Sequence, residues 1–130
     1  MDIKVFYKKN GGVIQLIEEE KIQNWSIELT FIFVEYIRNK LRSYRDDKVQ
    51  NDISEYLDEI LTLIAIPKLK KIFDNNNQNE IISILEKFEE LSESNNKAAN
   101  HISPFLPKLL NNSNKNIVKK VQNISQNLKS

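Results

Sequence analysis

The sequence predicts an all-α protein, and three features support that prediction. Apolar residues recur at helical spacing along the chain, as in Ile117, Val121 and Ile124, which stand at i, i+4 and i+7. Glycine and proline number only 2 and 3 in 130 residues, so few positions demand a tight turn. The 40% hydrophobic and 28% charged composition is ordinary for a folded chain, which argues against wholesale disorder.

Length and composition also limit the class of protein. A chain of 130 residues suffices for one domain with its own core, and we expect a single domain over residues 1–130. The absence of cysteine excludes disulfides, cysteine-based zinc sites and cysteine nucleophiles. The start MDIKVFYKKNGG does not resemble a signal peptide, and no apolar run reaches the roughly 18 residues of a membrane span. We therefore expect a soluble, cytoplasmic protein.

The first residues give a weaker pattern than the rest. Val13, Ile14, Leu16 and Ile17 predict a short helix ending near residue 21. Alternating apolar residues at positions 3, 5 and 7 would also suit a strand, but a lone strand has nothing to pair with. We interpret this start as a helix or a packed arm.

The strongest helical pattern lies at residues 26–44. Ile27, Phe31, Val34 and Arg38 stand at i, i+4, i+7 and i+11. Further apolar residues widen this stripe over much of the circumference: Leu29, Ile32, Phe33, Tyr36, Ile37 and Leu41. We expect this helix to be the most buried.

A second, amphipathic helix is predicted at residues 49–64. Its apolar positions follow the same offsets, and Asp52, Glu55 and Glu59 lie on another face. A separate short helix is predicted at 66–73. It begins with a proline in the first turn, where the missing N–H costs nothing.

In the second half of the chain, the spacing of apolar residues predicts one helix that ends near Leu91 and a last helix at 115–128. The intervening apolar residues also have helical spacing, but Pro104 and Pro107 interrupt them. That stretch is therefore either two short helices or one kinked helix, with Ser103 as a candidate cap.

Two segments of the chain are alike. Residues 66–82, IPKLKKIFDNNNQNEII, and residues 106–128, LPKLLNNSNKNIVKKVQNISQNL, both have an aliphatic residue followed by Pro-Lys-Leu, an Asn-rich tract and an apolar helix pattern. The prolines, Pro67 and Pro107, are 40 residues apart, and the second helices are 36 apart. The first copy therefore has four more residues between its proline and its second helix, which is about one helical turn. The short helix can be longer by that turn without rotating its apolar face. We interpret the Asn tracts as turns between paired helices.

A repeat of two antiparallel helices with this period resembles the HEAT and armadillo class of α-solenoids. Val118 and Lys119, after the polar residue Asn114, are similar to the turn and Val-Arg pair of a HEAT second helix. The chain departs from that pattern with Asn for Asp and Lys for Arg, and with Val121 and Ile124 where alanines would stand. The resemblance implies a short right-handed stack of antiparallel helix pairs, and the alternative is an irregular helical bundle.

Charge is distributed unevenly along the chain. Residues 1–65 contain 9 basic and 12 acidic residues, whereas residues 66–130 contain 10 basic and 6 acidic residues. No acid follows Glu93, and a basic surface for nucleic acid could include Lys108, Lys115, Lys119 and Lys120. Because this segment lacks arginine and interleaved aromatic residues, lysines that solubilise a helix surface are the favoured interpretation.

No segment spells out a catalytic motif. The glycine pair at residues 10–12 lacks the following GK[ST] of a phosphate-binding loop, and His101 is the single histidine. Asp52, Glu55 and Glu59 could form a carboxylate site, although such stripes are more often solvated or in contact with a partner. We expect no enzyme activity, no metal and no cofactor.

The remaining hypothesis is binding of another protein, since stacked helix pairs offer a long surface without a deep pocket. The most concrete form is an immunity or inhibitor protein that sequesters a basic toxin or enzyme, and the alternative is nucleic-acid binding through the lysines after Glu93. We expect no membrane partner. The candidate partner-binding residues are acidic or amphipathic: Glu18, Glu19, Glu20, Asp52, Glu55, Glu59, Tyr44 and Arg45.

Overall fold

The computed structural model describes residues 24–43, 45–75 and 77–129. All the regular secondary structure in these ranges is helical, which confirms the all-α prediction. The predicted helix at 13–21, the start of the chain, the glycine pair, Glu18, Glu19, Glu20 and Tyr44 lie outside the described residues.

The chain divides into two compact units, Met1–Pro67 and Lys68–Ser130, which we describe separately. The single domain expected over residues 1–130 stays a prediction. In chain order, the elements are α1 Ile27–Leu41, α2 Asp47–Ile60, a π turn Leu61–Ala65, α3 Ile66–Asp74, α4 Gln78–Ser94, α5 Asn96–Ala99, a 3₁₀ helix Asn100–Phe105, α6 Leu106–Leu109 and α7 Lys115–Lys129.

Helix α1 buries Ile27, Phe31 and Val34, as predicted, but it is not buried on all sides. Leu29 and Tyr36 remain 46% and 44% exposed. Among the longer described helices it is nevertheless the most buried, as expected, since six of its 15 residues are buried against six of 17 in α4. Packing against α2 and the π turn covers one stripe of its broad apolar surface. The helix also ends three residues before the predicted residue 44.

Helix α2 begins two residues before its predicted start because Asp46 caps it. The Asp46 carboxylate accepts hydrogen bonds from the backbone N–H groups of Lys48 at 3.1 Å and Val49 at 3.3 Å. These are two of the N–H groups that the first turn of a helix leaves without an internal acceptor. The buried side of α2 carries the predicted apolar residues Ile53, Tyr56, Leu57 and Ile60.

The two helices predicted at 49–64 and 66–73 are not separated by a break. The backbone stays helical through the π turn, where the Ile66 N–H donates to the Leu61 carbonyl five residues earlier. Pro67 follows immediately, and a proline has no N–H and its ring clashes with the carbonyl four residues before it. A widened π turn relieves that clash, so the proline marks a local change of helix type.

In the second unit, α4 and α7 pack against each other more extensively than any other pair of described elements. Polar contacts run along this interface, from Lys120 with Glu86 at 3.6 Å to Asn123 with Glu89 at 3.0 Å. Further on, the Asn127 side chain donates to the buried Ser92 hydroxyl at 3.0 Å. Because residue numbers rise together on both helices, α4 and α7 are parallel.

The Asn tracts lie between successive helices, as predicted, and their side chains also cap helices. The Asn77 side chain accepts from the Glu80 N–H at 3.2 Å and caps α4. In the second tract, Asn112 accepts from the Asn114 N–H at 2.8 Å, and Asn114 accepts from the Asn116 N–H at 2.9 Å at the start of α7. The short asparagine side chain can imitate a backbone acceptor, which suits it to these positions.

Between α4 and α7 the chain runs through α5, the 3₁₀ helix and α6 with right-handed helical dihedral angles at each junction. The helix type changes near Pro104 and Pro107 without a break in the helical backbone, which does not decide between two short helices and one kinked helix. The prediction that Ser103 is a cap is wrong, since it lies inside the 3₁₀ helix and donates to Asn100 Oδ1 at 2.9 Å. Pro107 occupies the first turn of α6, as Pro67 does in α3. The Phe105 ring packs against Phe73 with centroids 5.4 Å apart.

Candidate functional site

The acidic stripe, defined as Asp52, Glu55 and Glu59, lies on α2. Glu55 and Glu59 are exposed one turn apart, and Asp52 is half-buried. Neither Glu55 nor Glu59 forms an ion pair or hydrogen bond in the part of the chain that the structure describes. Two like charges at i and i+4 repel each other slightly, so this arrangement does not itself favour the helix.

Asp58 adjoins this stripe and was not predicted from the sequence. Its carboxylate accepts a hydrogen bond from the Arg38 guanidinium at 3.1 Å, and the same guanidinium contacts Glu35 at 3.2 Å. In the sequence, this ion pair was indicated by Arg38, a charged residue at position i+11 of an otherwise apolar stripe. Because the pair is exposed, its contribution to the free energy of unfolding is at most about 1 kcal/mol.

Leu63 lies four residues after Glu59, within the π turn, and is 69% exposed. It was not predicted from the sequence. Its position four residues before Pro67, where the helix changes type, was the available signal. Its side chain lies one helical turn from Glu59, whose carboxylate forms no ion pair among the described residues.

The other predicted partner-binding residues are not brought to this stripe by anything described. Arg45 is exposed in the connection between α1 and α2, next to the cap residue Asp46. Tyr44 and the predicted glutamates at 18–20 lie outside the described residues. The described site therefore consists of the acidic stripe, Asp58 and Leu63.

Two of the four lysines in the predicted basic surface form ion pairs. Lys108 contacts Asp74 at 3.0 Å, and Lys120 contacts Glu86 at 3.6 Å. Lys115 and Lys119 are exposed and make no such contact with the residues described. Pairing with acids from the preceding segment thus reduces the positive charge inferred from the acid-free sequence after Glu93.

A groove lies at the carboxyl end of α7, beside the 3₁₀ helix and α6. Its volume is about 320 Å³. Its walls combine apolar and polar side chains: Asn100, Ser103, Leu106, Pro107, Leu110, Ser125, Leu128 and Lys129. Leu110, which is 43% exposed, is the most accessible large apolar residue of this set.

No three histidine, aspartate or glutamate side chains are placed to hold a metal ion within the described ranges. His101 is half-buried in the 3₁₀ helix. None of the described helices is long and apolar enough to span a bilayer.

Together, these features define an all-α protein with two exposed glutamates on α2 and a groove beside α7. No protein-family model matches the chain. Searches of curated proteins and of solved structures likewise found no similar protein.

Proposed function

We propose that this chain is a non-enzymatic protein-binding module, and most concretely an immunity or inhibitor protein that sequesters a basic toxin or enzyme. The observation that carries the proposal is the exposure of Glu55 and Glu59 on α2 without ion pairs in the described part of the chain. A helix holds these charges in fixed positions. A charge array of this kind attracts a basic surface and accelerates its association.

The helix packing supports a stack of helix pairs as the scaffold. The Asn123–Glu89 and Asn127–Ser92 contacts join residues 34 and 35 apart, close to the 36-residue spacing of the sequence repeat. Lys108 and Asp74 are also 34 apart. In α-solenoids each repeat contacts the next, so equivalent helices lie side by side at an offset of one period. The four-residue α6 is short for a first helix of the HEAT-like pair that we propose.

The partner chemistry follows from the stripe and Leu63. A basic protein would pair lysines or arginines with Glu55 and Glu59 while an apolar residue covers Leu63. Proteins that act on nucleic acids carry such basic surfaces, which makes a nuclease-like toxin a suitable target. We place the interaction in the cytoplasm, because a chain with no cysteine needs no oxidising compartment.

Nucleic-acid binding is the alternative function, and the exposure of Lys115 and Lys119 on α7 favours it. The ion pairs of Lys108 and Lys120 weigh against it, since a paired lysine offers less charge to a phosphate. We therefore rank it second.

Affinity capture with matched variants tests the proposal. The wild type, Glu55→Lys/Glu59→Lys and the control Glu90→Lys/Glu93→Lys, which makes the same charge change on exposed positions of α4, are immobilised and exposed to a lysate of the native host. We expect a basic protein that both the wild type and the control retain and the stripe variant loses.

The captured protein is then purified and its association rate is measured at low and high ionic strength. The stripe variant should associate more slowly, and salt should affect its rate less than that of the wild type. Equal capture by all three proteins, or rates that do not depend on the stripe, would contradict the proposal.

A further inference from the structure

We propose that the groove at the carboxyl end of α7 binds an amphipathic helix with an acidic flank, supplied by another protein. This inference rests on the proposed protein-binding function but assigns a second surface, in the unit Lys68–Ser130, apart from the acidic stripe. Three observations carry it: the side of α7 on which the groove lies, the apolar residues in its walls, and the charge around it.

The groove lies on the side of α7 that faces away from α4. Lys120, Asn123 and Asn127 contact α4, whereas Ser125, Leu128 and Lys129 line the groove. At about 100° per residue, the centres of these two sets are about 160° apart around the helix. The buried residues Ile117, Val121 and Ile124 lie between them.

That geometry gives the groove a definite place in the packing of this unit. Helix α7 lies parallel beside α4, and the groove occupies the position that a further helix would take beside α7. An added helix in that position would repeat the packing already present between α4 and α7. Insertion of an amphipathic helix into an apolar groove is a common mode of recognition.

The walls of the groove provide apolar surface for such a helix. Leu110 is 43% exposed, and Leu128 is half-buried on the opposite wall. The exposed Pro107 extends the same surface along α6. Covering these side chains removes apolar area from water, which is the main favourable contribution to such an interface.

The charge around the groove determines which residues should flank the apolar stripe of the bound helix. Lys129 lines the groove, and no aspartate or glutamate occurs after Glu93. No carboxylate is among the residues that line the groove. A helix with glutamates beside its apolar stripe therefore meets a complementary surface, whereas a lysine-flanked helix meets repulsion.

The test uses a fluorescein-labelled synthetic helical peptide with leucines at i, i+3, i+4 and i+7 and glutamates on the flanks. A matched peptide carries lysine in place of each glutamate. Fluorescence anisotropy with the full chain should show binding of the acidic peptide and at least about tenfold weaker binding of the basic one. Amide NMR signals of Leu110 and Leu128 should shift on titration with the acidic peptide.

Variants locate the binding. Leu110→Asp should weaken binding by about tenfold or more, whereas Leu29→Asp, at a leucine of similar exposure in the other unit, should leave it unchanged. Lys129→Glu should weaken binding, and Lys119→Glu, on α7 but outside the groove, should have a smaller effect. Circular dichroism checks that each variant is folded.

Several results would overturn the inference: no binding of the acidic peptide, equal binding of the basic one, or equal loss in Leu29→Asp and Leu110→Asp. Self-association of the wild type that Leu110→Asp abolishes would show instead that a second copy covers the groove. The Glu55→Lys/Glu59→Lys variant should bind the acidic peptide normally. The proposal for the groove and the proposal for the acidic stripe can therefore be contradicted independently of each other.

Discussion

At the scale of single residues, asparagine has a defined structural role in this chain. There are 17 asparagines, and several of them stand where helices begin. Asn77 and Asn95 cap α4 and α5, and Asn114 accepts a backbone N–H at the start of α7. The asparagine-rich segments look like low-complexity sequence, but their side chains form specific hydrogen bonds where one helix stops and the next starts.

The cap at Asn77 is a measurable contribution to stability. We expect Asn77→Ala to lower the free energy of unfolding by about 1 kcal/mol, because the Glu80 N–H loses its acceptor. Urea denaturation followed by circular dichroism measures the change.

Asn79→Ala is the matched control, since Asn79 is exposed in the same first turn and its side chain makes no hydrogen bond among the described residues. It should change the free energy of unfolding by no more than about 0.5 kcal/mol. An equal loss in both variants would mean that the Asn77 side chain does not act as a cap.

Single apolar residues show where prediction from periodicity ends. Leu29 and Phe31 are both apolar residues of α1, yet Leu29 is 46% exposed and Phe31 is fully buried. Periodicity shows that a helix has an apolar stripe, but the width of the covered part depends on which elements pack there. The same limit explains why Leu63 and Leu110 were not predicted to be exposed.

At the scale of elements, the parallel packing of α4 and α7 is the main finding. Hydrogen bonds at offsets of 34 and 35 residues fix both their direction and their register. A sequence repeat suggests that two helices are equivalent, but it does not bring them into contact. The contacts between Glu89 and Asn123 and between Ser92 and Asn127 supply that information.

Cross-linking tests this register. The chain contains no cysteine, so Glu89→Cys/Asn123→Cys introduces two thiols whose residues are in contact in the native structure. We expect a short bifunctional thiol reagent to link them within the chain under native conditions, as detected by mass spectrometry.

The control is Glu86→Cys/Asn127→Cys on the same two helices. Residue 127 lies seven positions beyond Lys120, the partner of Glu86, which is about 10 Å along the helix axis. This pair should stay unlinked. Cross-linking of the control in preference to the Glu89/Asn123 pair would contradict the parallel register.

At the scale of the whole molecule, the charge pattern separates the two functional hypotheses. The formal net charge is only +1, and the basic segment after Glu93 has two of its lysines in ion pairs with earlier acids. Glu55 and Glu59 on α2 are exposed and form no ion pair among the described residues. This distribution supports the proposed basic protein partner over the alternative of a nucleic acid.

DNA binding should therefore be weak. We expect no binding of a short duplex or a single strand at physiological ionic strength. Lys115 and Lys119 together account for a slope of at most about 2 in a plot of log affinity against log salt concentration. Fluorescence anisotropy at two ionic strengths measures both quantities.

The Lys115→Glu/Lys119→Glu variant shows whether any binding at low ionic strength is specific to these lysines. Strong, salt-dependent DNA binding by the wild type that this variant loses would favour the nucleic-acid alternative over the protein-binding proposal.

The sequence by itself determined the helical fold class, most of the buried positions and the asparagine turns, because these depend on local spacing and short-range hydrogen bonds. It also located the acidic residues of α2, since residues at i, i+3 and i+7 share a helix face whatever surrounds them. Pro67 was placed correctly in a first turn, although the helical path through the π turn was not.

Only the tertiary structure decided which charges are paired, which leucines stay exposed and that α4 and α7 run parallel. These properties depend on contacts between residues far apart in the chain, such as Asp74 with Lys108. The spacing of residues along one helix does not predict such contacts, because the same apolar stripe can pack against many different neighbours. The groove beside α7 is of this kind, since its two walls come from separate elements that meet only in the folded chain.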